Sequence, residues 1–348
     1  MPEPESVPVS ACGGGLVVGV DSGGSGLRVA LARAGAGEAE PGGRVLETVT
    51  SREPVRTGAG GIDAGHLLAQ VLPAVEAMAG RATGAGGRGG AGRIVAVAVG
   101  AAGMATLGDR LRAELPAALE RAWGVRRLAL AADAVTAYAG ALGQRPGAVV
   151  AGGTGLIALG TDLSGWRRAD GWGHLLGDCG SGAWIGRAGL EAAMRAYDGR
   201  RGGSAALLAR AERRFGPAAG LPAALYPRTD RPAVLASFAP DVAGCAVDGD
   251  PVAAGILERA AGHVAEAAAA VCPAGPAGAG EVALAGGLFR LGEPLLGPLR
   301  AELGALLPGA RVVAAAGDPL SGAVTIAAAL ARGEVRLPED PRLLQLTR

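Results

Sequence analysis

The sequence predicts a chain of two similar α/β lobes, and three observations lead to this fold class. With 348 residues, the chain is longer than one ordinary hydrophobic core accommodates. Apolar residues make up 49% of it and aromatic residues only 3%, so the core must be built from Ala, Val and Leu, which favours helices packed on sheets. The order three strands, helix, strand, helix, strand, helix is predicted twice, which indicates duplication of one supersecondary plan.

The first predicted lobe follows a leader, residues 1–14, which is acidic, rich in proline and predicted to be disordered. Apolar runs that end at glycine turns predict its strands, at Leu16–Asp21, Leu27–Ala32, Arg44–Val49, Ile94–Val99 and Arg127–Ala132. Apolar spacing of three and four residues predicts its helices, at Asp63–Met78, Asp109–Trp123 and Ala134–Leu142. The Gly-, Ala- and Arg-rich stretch 81–92 is predicted to be a loop.

The same order then restarts in a second predicted lobe. Its strands are predicted at Ala148–Ala151, Leu156–Gly160, Trp166–Ala169, Glu281–Ala285 and Arg311–Ala314. Its helices are predicted at Ser181–Tyr197, Val252–Val271, Glu293–Leu306 and Pro319–Ala331, with further helices and loops between 199 and 250 and a loose tail. We therefore expect an N-terminal lobe over residues 15–133, a C-terminal lobe over 134–318, and a final segment, 319–348, that completes the first lobe.

Composition and charge exclude several classes of function. The formal net charge is +1, so a nucleic-acid partner is not expected. The chain has no lysine, which excludes a Walker-type phosphate site and leaves backbone N–H groups, a metal ion or Arg to bind phosphate. Neither a signal peptide nor a membrane span is predicted, and the four cysteines are widely separated. These features predict a cytoplasmic protein with reduced thiols.

A glycine-rich turn ends the first predicted strand, in the segment GVDSGGSG. Gly23 and Gly24 permit positive φ and let consecutive N–H groups point at an anion, to which the Ser25 hydroxyl adds a donor. Asp21 lies where it can hold a metal-bound water near the phosphates. Taken alone, this motif is explained equally well by an ordinary hairpin turn.

The same device opens the second predicted lobe, in the segment AGGTGLIALG. Gly153, Thr154 and Gly155 again join two predicted strands. Two such turns from duplicated lobes can face each other across a cleft and grip one polyphosphate. Their occurrence as a pair therefore favours a phosphate site over two plain hairpins.

Three other glycine segments are candidates for ligand contact. In ALAGGLF, Gly286 and Gly287 lie between a strand and a helix, where adenosine contact and a plain turn are equally good explanations. GAAGM, which includes Gly103, follows the carboxyl end of a strand, a common place for ligands in open α/β sheets. RTGAGG, which includes Thr57, is expected on the same side.

Two aspartates are candidate functional residues. Asp133 follows a strand and begins a helix, so it is either a helix cap or the general base for a hydroxyl nucleophile in phosphoryl transfer. Asp178 belongs to the unusual segment GWGHLLGDCGSGAWIG and can accept hydrogen bonds from sugar hydroxyls. In the same segment, His174 is either a structural residue or a ligand contact, and Cys179 is interpreted as a small side chain that shapes the pocket.

Together these segments resemble the BadF/BadG/BcrA/BcrD-type ATPase family, and within it the N-acetylglucosamine kinase-like branch. The segments that carry the resemblance occur in the family's order over nearly the whole chain: GVDSGGSG, GAAGM, AADAVTAYAGA, AGGTG, GWGHLLGDCGSGAWIG, LAGGLF and GDPLSGA. The resemblance implies two duplicated ribonuclease H-like (actin-like ATPase) lobes with an interlobe cleft. It also implies a sugar kinase that uses ATP and Mg²⁺ and has a small amino sugar as its substrate, and a homodimer is expected.

The resemblance also assigns roles to single residues. Asp133 would be the catalytic base and contact the sugar, Asp178 would bind the sugar, and Asp21 would serve the metal. The other sugar-side positions would be Thr57, Gly103 and His174. The ATP-binding positions would be Gly23, Gly24, Ser25, Gly153, Thr154, Gly155, Gly286 and Gly287.

The chain departs from the family pattern on the expected sugar side. Cys179 replaces the usual Glu, and the family's Asn-type sugar contact is missing because the chain has no Asn. This combination resembles actinobacterial glucosamine kinases, so glucosamine is the first expected substrate and N-acetylglucosamine the second. An ATPase activator of a radical dehydratase would need cysteines that hold an iron–sulfur cluster, and a sugar-responsive regulator would need a DNA-binding helix pair; the sequence predicts neither.

Overall fold

The computed structural model describes residues 15–24, 26–35, 43–58, 60–82, 93–273 and 280–348, and they form two compact units. Unit 1 contains the chain up to Thr136 together with Leu320–Val335 and Pro341–Arg348. Unit 2 contains Ala137–Pro319 and Arg336–Asp340. The predicted leader and the predicted loop from residue 83 to residue 92 lie outside the described residues. The lobe limits predicted from the sequence stay predictions.

The strands of the described residues are numbered in chain order. They are β1 Leu16–Gly23, β2 Gly26–Arg33, β3 Arg44–Ser51, β4 Thr57–Gly58, β5 Gly61–Ile62, β6 Ile94–Ala101, β7 Leu128–Ala132, β8 Gly147–Gly152, β9 Leu156–Thr161, β10 Trp166–Asp170, β11 Glu281–Ala285, β12 Arg311–Ala314 and β13 Leu344–Thr347.

The α-helices are numbered in the same way, and a short 3₁₀-helix, Gly287–Leu291, follows β11. They are α1 Ala64–Ala82, α2 Met104–Leu107, α3 Asp109–Trp123, α4 Asp133–Leu142, α5 Gly182–Tyr197, α6 Ala205–Phe215, α7 Leu221–Leu225, α8 Arg231–Ala236, α9 Ala239–Val247, α10 Pro251–Val271, α11 Glu293–Leu306 and α12 Pro319–Arg332. Within the described residues, no helix has the length and apolar character needed to cross a membrane.

Unit 1 is built on a six-stranded sheet with the order β13-β7-β6-β1-β2-β3. Strands β1, β2 and β3 form an antiparallel meander, and β6 and β7 continue the sheet parallel to β1. Helix α12 packs tightly on β1, because a Cβ added at Gly19 would lie 2.8 Å from the backbone nitrogen of Val324. The apolar runs of β1, β6 and β7 are buried, as expected for strands covered on both faces.

Unit 2 repeats this plan in a five-stranded sheet with the order β10-β9-β8-β11-β12. Again the first three strands form an antiparallel meander, and the next two run parallel to the first. Helix α10, which is capped by the Asp250 carboxylate accepting from Ala253 N at 2.8 Å, buries one apolar face in this unit's core. The matching strand order confirms the predicted duplication.

Several predictions about single elements need correction. The tail is not loose, because β13 pairs antiparallel with β7 and buries Leu344 completely. The RTGAGG segment around Thr57, for which no strand was predicted, forms a small hairpin, β4–β5. Arg81 and Ala82, predicted as loop, end helix α1, whose start is set by the Asp63 carboxylate accepting from His66 N at 3.0 Å.

Candidate functional site

The β1–β2 hairpin carries the first glycine turn. Gly23 and Gly26 face each other across the two strands, and Gly24 lies in the turn between them. A Cβ added at Gly23 or Gly24 would meet no atom within 4 Å, so this side of the turn is open to a ligand. Ser25, predicted to bind phosphate, lies outside the described residues.

Asp21, the predicted metal residue, forms a salt bridge along the same hairpin. Its Oδ2 accepts hydrogen bonds from Arg28 Nε at 3.0 Å and Nη2 at 2.6 Å, because the two residues are paired across β1 and β2. The Asp21 side chain is only 15% exposed. Among the described residues, no group of three or more His, Cys, Asp or Glu side chains could hold a metal. Mg²⁺ commonly binds through one or two carboxylates together with substrate phosphates and water, and the Asp21 carboxylate lies on the strand that leads into the open Gly23–Gly24 turn.

Asp133 lies at the same end of the unit 1 sheet as Asp21. The strand register places Asp21 level with Gly100 in β6, and Gly100 level with Ala131 in β7. Two strand spacings separate β1 from β7, about 10 Å. Asp133 is exposed, follows β7 directly and begins α4, where its Oδ1 accepts from Ala134 N at 2.9 Å. The carboxyl ends of β1, β6 and β7 therefore present two aspartates and a glycine loop together.

Gly103 and Thr57 lie beside this sheet end. Gly103 has φ 79° and begins α2, with its carbonyl oxygen accepting from Leu107 N at 2.8 Å. A Cβ at Gly61, in the hairpin of Thr57, would lie 2.5 Å from the Leu107 carbonyl oxygen, so the hairpin packs against α2. The exposed Thr57 is thus on the segment next to the Gly103 loop.

The second glycine turn, in unit 2, is fixed to the start of helix α5. The carbonyl oxygen of Gly153 accepts from Gly182 N at 2.9 Å, and that of Thr154 accepts from Ala183 N at 3.1 Å. Helix amides that would otherwise lack partners in the first turn are satisfied in this way. The turn is therefore rigid, and Thr154 at its tip is exposed.

Asp178 contacts this second turn. A Cβ added at Gly155 would lie 2.6 Å from Asp178 Oδ2, and the other oxygen, Oδ1, accepts from Gly173 N at 3.2 Å. Asp178 is half-buried, and this burial is the main cause that raises the pKa of its carboxyl above the ordinary value of 3.8; the negative charge of Asp170 adds to it. The structure thus brings the predicted sugar residue and the predicted phosphate turn of unit 2 together.

The third glycine cluster, Gly286 and Gly287, follows β11 and lies beside the end of β8, where the second glycine turn begins. Gly286 has φ 100°, and a Cβ there would lie 2.2 Å from the Gly152 carbonyl oxygen, so only glycine fits. Gly287 has open space around its Cβ position. Unit 2 therefore carries two of the three predicted ATP-binding segments side by side.

His174 and Cys179 lie on two different cavities of unit 2. His174 is half-buried and lines a mostly apolar cavity of about 440 Å³ with Leu190 and Tyr226. Cys179 lines a cavity of about 370 Å³ with Asp170 and Glu266. Burial raises the pKa of the Cys179 thiol, and the charge of Asp170 raises it further, so it is a poor nucleophile at neutral pH. Cys179 lines a cavity, and its predicted role as a small side chain that shapes the sugar pocket stays a prediction.

Two residues with contacts to these sites escaped sequence reasoning. Arg28 was missed because its pairing with Asp21 depends on strand register. Asp170 was missed because it was placed just beyond a predicted strand; its carboxylate accepts the N–H groups of Asp178 and Cys179. The available signal was an Asp directly before the Gly-Trp-Gly of the unusual segment.

Two units with the same strand order, each with a glycine turn between its first two strands, define the class of actin-like ATPase folds. The model of the BadF/BadG/BcrA/BcrD ATPase family matches residues 18–327. The chain therefore belongs to the BadF/BadG/BcrA/BcrD ATPase family, and the predicted resemblance and fold class are confirmed. Closer likeness to actinobacterial glucosamine kinases stays a prediction.

Individual proteins are similar to the chain to different extents. A solved structure of a proposed N-acetylglucosamine kinase from Chromobacterium violaceum is 28% identical and covers 89% of this chain and 98% of its own, with a TM-score of 0.64. A ROK family glucokinase from Streptomyces griseus, solved with glucose and AMPPNP, is 23% identical over 92% of this chain and 100% of its own, with a TM-score of 0.52; it supports the fold alone.

A curated relative matches a shorter stretch. The N-acetylmuramic acid/N-acetylglucosamine kinase of Clostridium acetobutylicum is 43% identical over 67 residues. This stretch is 19% of this chain and 22% of the relative, so the match spans about a fifth of that protein.

Proposed function

We propose that the chain is a sugar kinase that transfers the γ-phosphoryl group of ATP to the 6-hydroxyl of a hexosamine, with glucosamine preferred. The observation that carries this proposal is the contact between Asp178 and Gly155, which places the carboxylate expected to bind the sugar against the turn expected to bind phosphate. Membership in an ATPase family supports ATP as the nucleotide.

In the proposed reaction, Asp133 accepts the proton of the sugar hydroxyl. The hydroxyl oxygen forms a bond to the γ-phosphorus, and the bond from that phosphorus to the bridging oxygen of the β-phosphate breaks, releasing ADP. The glycine turns bind the phosphates through backbone N–H groups. Asp21, with the phosphates, would hold Mg²⁺, which supplies neutralisation of phosphate charge.

Glucosamine is favoured because two carboxylates lie close together in unit 2. The backbone N–H of Asp178 donates to Asp170 Oδ1 at 2.6 Å, and burial together with the negative charge of Asp170 raises the pKa of the Asp178 carboxyl; an ammonium group beside Asp178 would offset this cost of its ionisation. N-acetylglucosamine is the second candidate, because the similar proteins from Chromobacterium violaceum and Clostridium acetobutylicum carry that substrate in their names.

ADP release with Mg-ATP and each of the two sugars tests the proposal. We expect kcat/KM for glucosamine to exceed that for N-acetylglucosamine about tenfold or more, the range of one hydrogen bond to a charged group. Asp133→Asn should lower kcat about 10²–10⁴-fold. Asp109→Asn is the matched control, because Asp109 also begins a helix of unit 1 but its side chain is 99% exposed.

Three outcomes would contradict parts of the proposal. If neither sugar raises ADP release above the rate without sugar, the kinase function is wrong. If Asp133→Asn retains the wild-type kcat, the base assignment is wrong. If kcat/KM for N-acetylglucosamine equals that for glucosamine, the proposed preference for glucosamine is wrong. The cytoplasmic location and the homodimer remain predictions.

A further inference from the structure

The loop of residues 171–177, here named the Trp172 loop, connects β10 to the segment that begins α5. The residues at its two ends, Asp170 and Asp178, have φ of 59° and 52°. Residues other than glycine rarely adopt this left-handed region, and each instance costs about 1 kcal/mol or more. Strain at both ends of one loop implies that other contacts hold the loop in place.

The Asp170 carboxylate supplies those contacts. Its Oδ1 accepts from Asp178 N at 2.6 Å, and its Oδ2 accepts from Cys179 N at 2.8 Å. The side chain at the beginning of the loop thus binds the backbone at its end. Gly177 permits this approach, because a Cβ there would lie 2.4 Å from Asp170 Oδ1.

Arg168, in β10, supports the beginning of the Trp172 loop. Its Nε donates to the carbonyl oxygen of Asp170 at 3.0 Å, and its Nη2 donates to that of Gly171 at 2.7 Å. Its guanidinium also lies 4.3 Å from the ring centre of Trp172, a favourable cation–π distance. Arg168 therefore holds the backbone of Asp170, while the Asp170 carboxylate binds the backbone at Asp178 and Cys179.

These contacts determine where the carboxylate of Asp178 lies. The N–H of Asp178 is bound by Asp170, while its carboxylate contacts the turn at Gly155 and accepts from Gly173 within the loop. We propose that Asp170 is a positioning residue, whose carboxylate closes the Trp172 loop and holds Asp178 against the phosphate turn. This role rests on the sugar kinase function proposed above.

Asp170→Asn is the informative variant, because Asn keeps the size of the side chain but places an NH₂ group against one of the two backbone donors. We expect kcat/KM for both sugars to fall about 10²-fold, since a misplacement of about 1 Å has that effect, while KM for ATP changes little. Amide hydrogen exchange in residues 171–179 should accelerate. Arg168→Gln should accelerate the same exchange to a smaller extent.

Asp162→Asn is the matched control. Asp162 also uses its carboxylate to bind backbone in a turn, accepting from Ser164 N at 2.9 Å, but it lies at the opposite end of β10. In Asp162→Asn, the amide hydrogen exchange of residues 171–179 and the kinetic constants should match those of the wild type.

Each result decides a separate point. Unchanged exchange at 171–179 in Asp170→Asn overturns the loop closure, whatever the activity. Faster exchange with an unchanged kcat/KM overturns the positioning role. A loss confined to glucosamine, with N-acetylglucosamine unaffected, shows that Asp170 contacts the ammonium group instead. A wild-type protein without sugar-dependent ADP release refutes the kinase function and the positioning role, while exchange still tests the loop closure.

Discussion

Replacement of Gly155 by Ala should impair sugar use without unfolding the protein. The added Cβ would lie 2.6 Å from Asp178 Oδ2, which is 0.8 Å short of the 3.4 Å that ordinary contacts keep. Since Gly155 does not have a positive φ, the backbone accommodates Ala and the carboxylate must move instead. A displacement of this size predicts a fall in kcat/KM of about 10²-fold.

The assay varies the sugar at saturating Mg-ATP and follows ADP release, with a thermal melt of each variant. Gly165→Ala is the matched control, because Gly165 lies in the next turn of unit 2 and a Cβ there would meet nothing within 4 Å. A double-mutant cycle with Asp178→Ala isolates the contact: once the side chain is truncated to Cβ, Gly155→Ala should cost little more. Wild-type kcat/KM in Gly155→Ala, or full additivity in the cycle, would refute the reasoning.

Three further predictions concern stability. Asp178→Asn should become more stabilising relative to the wild type as the pH rises above 3.8, because burial raises the pKa of this carboxyl and its ionised form disfavours folding. Urea unfolding at several pH values checks this, and a difference in unfolding free energy between variant and wild type that does not change with pH would contradict it. Gly286→Ala should lower the free energy of unfolding by more than about 1–2 kcal/mol, because φ is 100° and its Cβ would lie 2.2 Å from a carbonyl oxygen, whereas Gly287→Ala should change it by less than about 0.5 kcal/mol in the same experiment. Leu344→Ala should lower the melting temperature through a loss of about 2–5 kcal/mol, because Leu344 is fully buried, and an effect no larger than that of Gln345→Ala would contradict its place in the core.

The central strands and long helices were predictable because their signals are local. Glu293–Leu306 and Arg311–Ala314 form a helix and a strand with the predicted limits, since apolar periodicity and flanking glycines mark both ends. Strand β13 was not predictable, because the alternation of Leu344–Thr347 covers only four residues, which acquire strand structure by pairing with β7. Its formation depends on a partner more than 200 residues away in the chain.

The candidate site was predictable to the extent that its residues follow strands directly. Asp21 and Asp133 could each be placed at the carboxyl end of a predicted strand, whereas their position at one end of the same sheet follows from the strand register. The partners of the aspartates could not be assigned, because they depend on register and on loop closure. Arg28 forms its salt bridge with Asp21 across a hairpin. Asp170 accepts a hydrogen bond from Asp178 N across a loop of seven residues, and this requires a left-handed backbone conformation at both aspartates.

The antiparallel pairing of β13 with β7 has a consequence for biosynthesis. All five strands of the unit 2 sheet exist once Ala314 has been made, whereas β7 has no neighbour on its outer edge until residues 344–347 follow. A nascent or truncated chain that lacks these residues therefore displays an apolar strand with unpaired N–H and C=O groups, the kind of edge on which chains aggregate. Unit 1, although most of it is synthesised first, is the later of the two to be finished.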